Sequence, residues 1–500
     1  MSILDLVRSQ SHRWLVAGLL LLGLVGCANR NPTRDYPVSP LPPFSSSGQL
    51  EMPDRWWTAF DDPALNLQVN QALGDNFTLA VALQRLRAAR ALARREASDL
   101  FPDVDGIINI DNTFGSGPDQ TNIVWGLDAA YQVDLWGQIQ SRVEAERLRA
   151  EATGADYHAV ALSLAAEVAR TWFSLIEAHA QLALLDEQIE TNRTGLKAQE
   201  LRFGRGFVRS ADVLRQRQLV ESTLEQAVVV RSRVEVLEHQ LAVLLGQRPQ
   251  AASYDPGAEL PALPPLPDTG LPAELLTRRP DVRRDYLAFM AADRDLASAV
   301  SAQYPRISLT GSVINAAENP ETLFRDWFVS IGSQLIAPLL DGGQRRAEVD
   351  RTTAVVRQRF NEYGQTMLNA LREVEDSLAL ERYQIQRIER LNTQVSLAEQ
   401  ASDQLVRQYL IGDADYLDVL SAIQAQQRLQ RETLSARLDL VLIRIGLYLA
   451  LAGDFETRPQ GFADSPADPI DFPADVLESP PGLQRLPPPE DPAPEIDIDE

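Results

Sequence analysis

The chain is 500 residues long and carries 47 Lys and Arg against 70 Asp and Glu, a net charge of −23, with 23% charged residues and one cysteine. That acidic balance excludes a nucleic-acid binder, which needs clustered cations. A lone cysteine excludes an intrachain disulfide framework and any Cys-rich zinc or iron–sulfur site, and no unbroken apolar run reaches about 18 residues, so the chain does not read as a helical membrane protein.

In chain order, Arg8 and Arg13 precede a short apolar stretch at 14–25 that ends in Gly26-Cys27. A charged start and an apolar segment of about a dozen residues make a signal peptide rather than a span. Leu24-Val25-Gly26-Cys27 resembles the bacterial lipobox. The resemblance implies cleavage between Gly26 and Cys27, a diacylglycerol on the Cys27 sulfur and an N-acyl chain on its amine; several chains anchor firmly, at about 0.8 kcal/mol per buried CH₂. The bland alternative is a plain signal peptide with a chance cysteine. Ala28 follows rather than Asp, which resembles sorting to the outer membrane. Residues 1–26 thus form the leader and 27–50 a tether, of which 29–48 is rich in Pro and Ser and reads as extended.

A helical stretch at 79–100 leads to strand signals at about 104–136. Trp125, Leu127, Ala129, Tyr131, Val133 and Leu135 alternate with Gly126, Asp128, Ala130, Gln132 and Asp134. Another helix at 281–303 leads to a second pair at about 305–340. There Ile307, Leu309, Gly311 and Val313 alternate with polar residues, and so do Trp327, Val329, Ile331, Ser333, Leu335, Ala337 and Leu339. Strict alternation makes strands with one apolar and one polar face. Four strands cannot close a barrel, and an open greasy sheet aggregates. The apolar face therefore needs lipid and the edges need further copies: two copies give about eight strands and a plugged core, three about twelve and a lumen. A soluble sandwich covered by helices is the alternative.

Between strands and hairpins lie proline-free helical stretches at 138–202 and 343–409, each about 100 Å long at 1.5 Å per residue. Shorter helices at 211–245 and 414–452 return. Length matching stacks 211–245 with 281–303 and 414–452 with 79–100, so that each chain supplies four columns. The body repeats at a spacing of 206: Phe203-x-x-Gly206-x-x-x-x-x-Asp212-Val213-Leu214 recurs as Tyr409-x-x-Gly412-x-x-x-x-x-Asp418-Val419-Leu420, and Trp136-Gly137-Gln138 falls on Gly342-Gly343-Gln344. Phe101-Pro102 answers Tyr304-Pro305. These landmarks give two copies of one unit, 51–250 and 251–453. Gly206 and Gly412 mark tip hairpins, and Pro102, Gly137, Pro305, Gly342 and Gly343 mark passages between strand and helix. Residues 454–500 hold 13 acidic residues, 2 arginines and 11 prolines, the composition of a disordered tail.

Trp56-Trp57-x-x-Phe60-x-Asp62-Pro63-x-Leu65, Leu276-x-Arg278-Arg279-Pro280-Asp281-Val282-Arg283, Tyr304-Pro305-x-Ile307-x-Leu309-Thr310-Gly311-Ser312, Leu340-Asp341-Gly342-Gly343 and the paired hairpins resemble the TolC-like outer-membrane efflux channel family, in its NodT-type lipoprotein branch. The likeness covers roughly 50–453. It implies a mostly α chain with a membrane β-barrel: a homotrimer whose twelve-stranded barrel in outer-membrane lipid sits on a long α-helical periplasmic barrel. It also implies a periplasmic adaptor (membrane fusion) protein and an inner-membrane RND-type pump as partners, and passive export of small molecules. In the family the hairpin aspartate faces the lumen near the periplasmic constriction, which makes Asp212, Asp413, Asp415, Asp418 and Tyr409 the expected gate. Threefold symmetry turns each carboxylate into a ring that attracts cations. The plainer role for Asp212 and Asp418 is a favourable helix start. Ala414 and Ser421 stand where some members carry a basic residue and a further acid, so a family-style ionic lock is missing at those positions.

Arg278, Arg279 and Arg283 read as solvated arginines around a helix start with Pro280 at N1, or as an anion site. Trp56-Trp57 reads as packing. Beyond Cys27 the histidines are His158, His179 and His239, none in His-Glu-x-x-His, and there is no Gly-x-Ser-x-Gly, Walker A or Gly-x-Gly-x-x-Gly. No enzyme, metal site or cofactor beyond the acyl chains is expected. The rival function is a lipid-anchored coiled-coil tether, which has no use for long strands with a lipid-ready face.

Overall fold

The computed structural model describes residues 42–453 and 455, apart from 114–119, 252, 258, 319–320 and 322–323. The expected leader, Gly26, the expected acylation site Cys27 and, apart from Phe455, the acidic tail lie outside the described residues. A 3-10 turn at Trp56–Phe60 is followed by α1 (Pro63–Asp75), α2 (Phe77–Ser98), β1 (Asp103–Thr113), β2 (Gln120–Val133), α3 (Gln138–Gly204) and α4 (Ser210–Leu244). After a linker come α5 (Pro272–Arg278), α6 (Pro280–Ser301), β3 (Arg306–Ala317), β4 (Trp327–Ile336), α7 (Gln344–Ile411) and α8 (Tyr416–Leu451). The order helix, two strands, long helix, hairpin, returning helix thus occurs twice.

The strands form one antiparallel sheet in the order β1-β2-β3-β4. Its register puts the period-two residues on one face: Val104, Ile108 and Ile110 beside Ala129, Trp125 and Ile123, then Leu127, Tyr131 and Val133 beside Val313, Leu309 and Ile307, then Val329, Ile331 and Leu335. This face is bare, with Ile331 89% and Ile108 74% exposed. The other face carries Asp103, Asp105, Asn109, Asp128, Gln132, Thr310, Ser312, Ser330 and Gln334. Asp105 lies directly opposite Asp128, a like-charged pair that is tolerable only facing water. Aromatic groups bound the apolar band. At the far end the Trp125 ring lies 5.0 Å from Phe324 and 5.0 Å from Trp327, and its indole N–H donates to buried Asn315 (3.2 Å). At the near end Trp136 stacks on Tyr304 at 4.9 Å and donates to the Pro305 carbonyl (2.7 Å). From Trp125 to Val133 the strand covers about 27 Å, the height of an outer-membrane band. β4 stops at Ile336, short of the alternation read as far as Leu339.

The two long helices have 67 and 68 residues, about 100 Å each. Toward the sheet, α3 packs between α2 and α6; toward the hairpins it packs between α4 and α8, and α7 closes the row against α6 and then α8. The stacked columns are therefore α4 on α2 and α8 on α6, which corrects the pairing inferred from length. Junction chemistry selects the partners. Buried Asn76 caps α2 by accepting from Thr78 N (2.8 Å) and Leu79 N (3.1 Å), and its amide donates to the Leu244 carbonyl at the end of α4 (2.9 Å). At the other junction Arg279 donates to the Ala450 carbonyl (3.1 Å) and Arg278 to that of Leu451, both at the end of α8. Arg279 is thus buried and paired, neither solvated nor an anion site, whereas Arg278 makes its carbonyl contact while remaining exposed. Burial pulls the Arg279 guanidinium down, but Asp281 and Glu373 more than offset it and hold the cation.

Midway along α3 the N-terminal segment and linker wrap the core. Trp56 and Trp57 are fully buried, Trp56 stacks on Tyr448 (5.9 Å), and Phe60 meets Phe173 (5.0 Å). Asp62 caps α1 and accepts from the Trp172 indole (2.8 Å). One window of α3 is apolar enough to cross a membrane, yet most of it is buried in this core. Buried Arg444 holds Glu381 through two hydrogen bonds (2.8 and 2.6 Å) and donates to the Pro264 and Pro265 carbonyls, which pins the linker. The end of the expected extended tether is docked too: Ser47 bonds Asp268 (2.8 Å), and Leu50 bridges Pro267.

Replacing Asn76 with Ala is expected to lower unfolding stability by about 1–3 kcal/mol, because both a cap and a buried carbonyl lose their partner. Asn76→Asp keeps the cap and loses only the donor. Thermal unfolding of the two variants should rank wild type, Asn76→Asp, Asn76→Ala or else place both below wild type; two unchanged midpoints would remove Asn76 as the junction.

Candidate functional site

The sheet and the two hairpins sit at opposite ends of α3 and α7. At the hairpins, Gly206 (φ 77°) and Gly412 (φ 88°) adopt the left-handed conformation that a side chain resists. The Phe207 N–H reaches back to the Arg202 carbonyl (3.0 Å) and the Asp413 N–H to that of Gln408 (2.9 Å), so one turn is built twice.

The hairpins differ in charge and are tied to each other. Around the first lie Arg202, Arg205 and Arg209; around the second lie Asp413, Asp415 and Asp418, all three exposed. Asp212 is not equivalent to Asp418: its carboxylate accepts from the Arg209 backbone N–H (3.3 Å) and from Arg215 (3.4 Å), a helix-start role. The Tyr409 hydroxyl donates to Gln199 (3.1 Å), and the Arg202 guanidinium lies 4.8 Å from the Tyr409 ring centroid, a cation–π contact. Tyr416, 5.2 Å from Tyr409, donates to Gln216 (2.6 Å). Burial pushes the Tyr416 phenol up to about 12, with Tyr409 and Asp212 adding to the effect.

Above this latch the contact between hairpins is polar. Asn192 and Gln427 exchange amide hydrogen bonds (3.2 and 3.0 Å) while almost fully buried, and Asn192 also donates to Thr223 (3.0 Å). Gln188 reaches Gln430 (3.0 Å), Gln181 reaches the Arg431 carbonyl (2.8 Å), and buried Glu177 accepts from Ser435 (3.0 Å) and pairs with Arg233 (2.9 Å). Within each hairpin the seam is apolar: Leu185, Ile189 and Ala227 in the first, Leu391, Leu429 and Ala436 in the second. Sequence reasoning missed Gln199, Gln216, Asn192 and Gln427. The available signal was the spacing of Gln181, Gln188, Asn192 and Gln199 along one face of α3.

At the sheet end, Gly137 (φ 71°) and Gly343 (φ 89°) precede α3 and α7, with Gly342 also left-handed. Asp134 accepts from the Gln140 N–H (2.8 Å) and Asp341 from that of Gly343 (3.0 Å). Pro102 and Pro305 stand just before β1 and β3. Among the described residues no cluster of His, Cys, Asp or Glu is suited to a metal ion.

A family model described as outer membrane efflux protein matches residues 68–247 and 271–453. The chain is 27% identical over 480 residues to the pyoverdine export outer membrane protein OpmQ of Pseudomonas aeruginosa, covering 91% of this chain and 99% of that one. It is 27% identical over 459 residues to the cation efflux system protein CusC of Escherichia coli K12, covering 86% and 97%. Among solved structures, the outer-membrane channel OprN superposes with a TM-score of 0.80 at 29% identity, covering 86% of this chain and 99% of that one.

The raised Tyr416 pKa has a stability consequence. The folded state holds the phenolic proton more tightly than the unfolded state, so this contribution is complete below pH 10 and is lost as pH rises toward about 12. Alkaline unfolding should show a steeper loss in that window for wild type than for Tyr416→Phe, and coincident profiles would contradict the buried hydroxyl.

Proposed function

The chain belongs to the outer membrane efflux protein family, and from that premise we propose that three copies close into one tube gated at the hairpin tips. The protein is an outer-membrane export duct reaching into the periplasm, in a family of channels. One observation carries the closure. The sheet ends in open edges at β1 and β4, and the helix rows end as openly: α4 exposes Val229, Val236 and Val243 at heptad spacing, and α7 exposes Leu380, Tyr383 and Leu397. Apolar stripes at both lateral ends, together with unpaired strand edges, fit a neighbouring copy of the same chain. Three copies give about twelve strands, enough for a lumen.

The gate in this reading is the set of six hairpins, alternately basic and acidic. Tyr409, Arg202 and Gln199 hold the second hairpin to the first, while Asp413, Asp415 and Asp418 stay free to form rings that attract cations. Exposed Phe207, Leu410 and Ile411 give a periplasmic adaptor an apolar landing surface, and the adaptor links the duct to an inner-membrane RND-type pump. Acylation of Cys27 anchors each copy.

Asp418→Ala combined with Tyr409→Phe is expected to raise single-channel conductance in planar bilayers and weaken block by multivalent cations; unchanged conductance and block would reject the gate. Wild type should also run as a heat-labile trimer on unboiled gels, and a monomer there would reject the closure. Radiolabelled palmitate should enter wild type and not Cys27→Ser, and equal labelling of both would remove Cys27 as the anchor.

A further inference from the structure

The water-facing side of the sheet is polar with one interruption. Along it β1 places Asp103, Asp105, Asn109 and Asp111, but also Ile107. β3 places Ser308, Thr310 and Ser312, but also Ile314, and β4 places Ser330 and Gln334 after Phe328. The register brings the three exceptions into one row: Ile107 lies opposite Gly126, Gly126 opposite Ile314, and Ile314 opposite Phe328. Breaks in alternation on three separate strands thus meet across the sheet. Ile107 and Ile314 are half-buried and Phe328 is 56% exposed, so the row offers apolar surface to water rather than to lipid. Between the isoleucines the row stays open. A Cβ on Gly126 would stand 2.1 Å from the Val313 carbonyl oxygen, so no side chain fills that gap.

The adjoining row toward the helices is Asp105, Asp128, Ser312 and Ser330, about 7 Å along the strands. Ser312 and Ser330 bond each other (2.7 Å). Asp105 and Asp128 have no hydrogen bond or ion pair among the described residues, and the only cation those residues place on this face is Arg306, three rows or about 20 Å away. A neighbouring copy does not change this. Closure sets β1 beside β4 of the next copy, and β4 holds no charged residue; Asp128, on β2, has both neighbouring strands within its own chain. Like charges directly opposite destabilise a sheet, a cost that a cation between them removes. An apolar patch rimmed by polar groups marks an interaction surface, and here the rim is anionic. The surface therefore fits a molecule with an apolar body and a positive charge about 7 Å apart; an anionic amphiphile is repelled, and a small inorganic cation has no use for the row. We propose that Ile107, Ile314 and Phe328, with Asp105 and Asp128, form a lumenal subsite for amphiphilic organic cations. Strands of a barrel tilt by about 35–45°, so the row climbs the wall as a slope and each copy carries one complete subsite. This assignment rests on closure of the sheet into a water-filled barrel, names a cargo class for that duct, and does not need the gate at the tip.

The full chain, inserted into planar bilayers, is probed with octyltrimethylammonium, tetramethylammonium and octanesulfonate below their micellar concentrations. Each is added on the side of the strand-connecting loops, so that it meets the barrel before the tip. The readout is the concentration that halves single-channel conductance. For wild type, octyltrimethylammonium should block at roughly tenfold lower concentration than tetramethylammonium, the effect of about two buried methylene groups. Octanesulfonate should not block. Ile107→Ser/Ile314→Ser/Phe328→Ser should bring the two cations together, and Phe328→Ser alone, at the most exposed position, should close much of the gap where the triple variant yields no channels. Asp105→Asn/Asp128→Asn should weaken octyltrimethylammonium block several-fold. A Gln132→Ala/Gln334→Ala control, on the same face outside both rows, should match wild type. Equal block by the two cations in wild type overturns the proposal without any variant. So does block by octanesulfonate at the same concentration, or a preference for the octyl chain that the Ser variants or the Asn variant leave undiminished. Wild type that forms no channel overturns the subsite together with the duct, whereas a conducting wild type without the preference overturns the subsite alone.

Discussion

Backbone groups in hydrocarbon have no water to bond, so a sheet that enters lipid must leave no edge unpaired. Among its described residues this chain supplies four strands, with β1 and β4 unpaired on their outer sides. The deficit continues down the molecule, because the helix rows that hang from the sheet end in apolar stripes on α4 and α7. A membrane face, two open edges and two sticky helical flanks are thus one unmet requirement expressed at several heights. A lipid-anchored tether has no reason to carry it.

Given that requirement, the long columns need straight, gap-free helices, and the chain cannot make all of them from single segments. It makes two and assembles two by joining ends. A helix end leaves several carbonyls or N–H groups without partners, so joining a C-terminus to an N-terminus in a buried place requires a side chain that serves both. Asn76 does this with one amide, capping α2 with its oxygen and α4 with its nitrogen. Arg278 and Arg279 do it with cations, which suit the negative end of the α8 dipole, and Asp281 and Glu373 keep the Arg279 charge paired.

Periodicity was what the sequence displayed most clearly. The residues that alternate in β2, β3 and β4 fall on one face in the observed register, and the duplicated hairpin motif folds into two turns of the same hydrogen-bond pattern. Pairings between distant segments were hidden. Length alone put 211–245 with 281–303, since nothing local tells that Leu244 meets Asn76. Arg279 looked solvated because, Asp281 aside, its partners lie 94 and 171 residues away, at Glu373 and Ala450. Near the tip, motif spacing pointed to Asp212 and Asp418 as equals, but Arg215 stands three residues after Asp212 and neutralises it, whereas Ser421 stands three residues after Asp418. The amides that tie the hairpins together escaped notice because Gln and Asn are usual on helix surfaces.

Those amides decide how the tip can move. Separating Leu185 and Ile189 from Ala227 exposes apolar surface at about 1.5–3 kcal/mol for each large side chain. Separating Asn192 from Gln427 trades one set of hydrogen bonds for another with water, at a net of about 1 kcal/mol per bond. Each hairpin is therefore held together more tightly than it is held to its neighbour, and the soft direction is one rigid hairpin swinging from the other. The fully buried tryptophans at mid-height resist the same separation there, so the softness is confined to the distal half. That confined softness is what the gate proposed at the hairpin tips requires of a tube whose wall stays closed in the membrane.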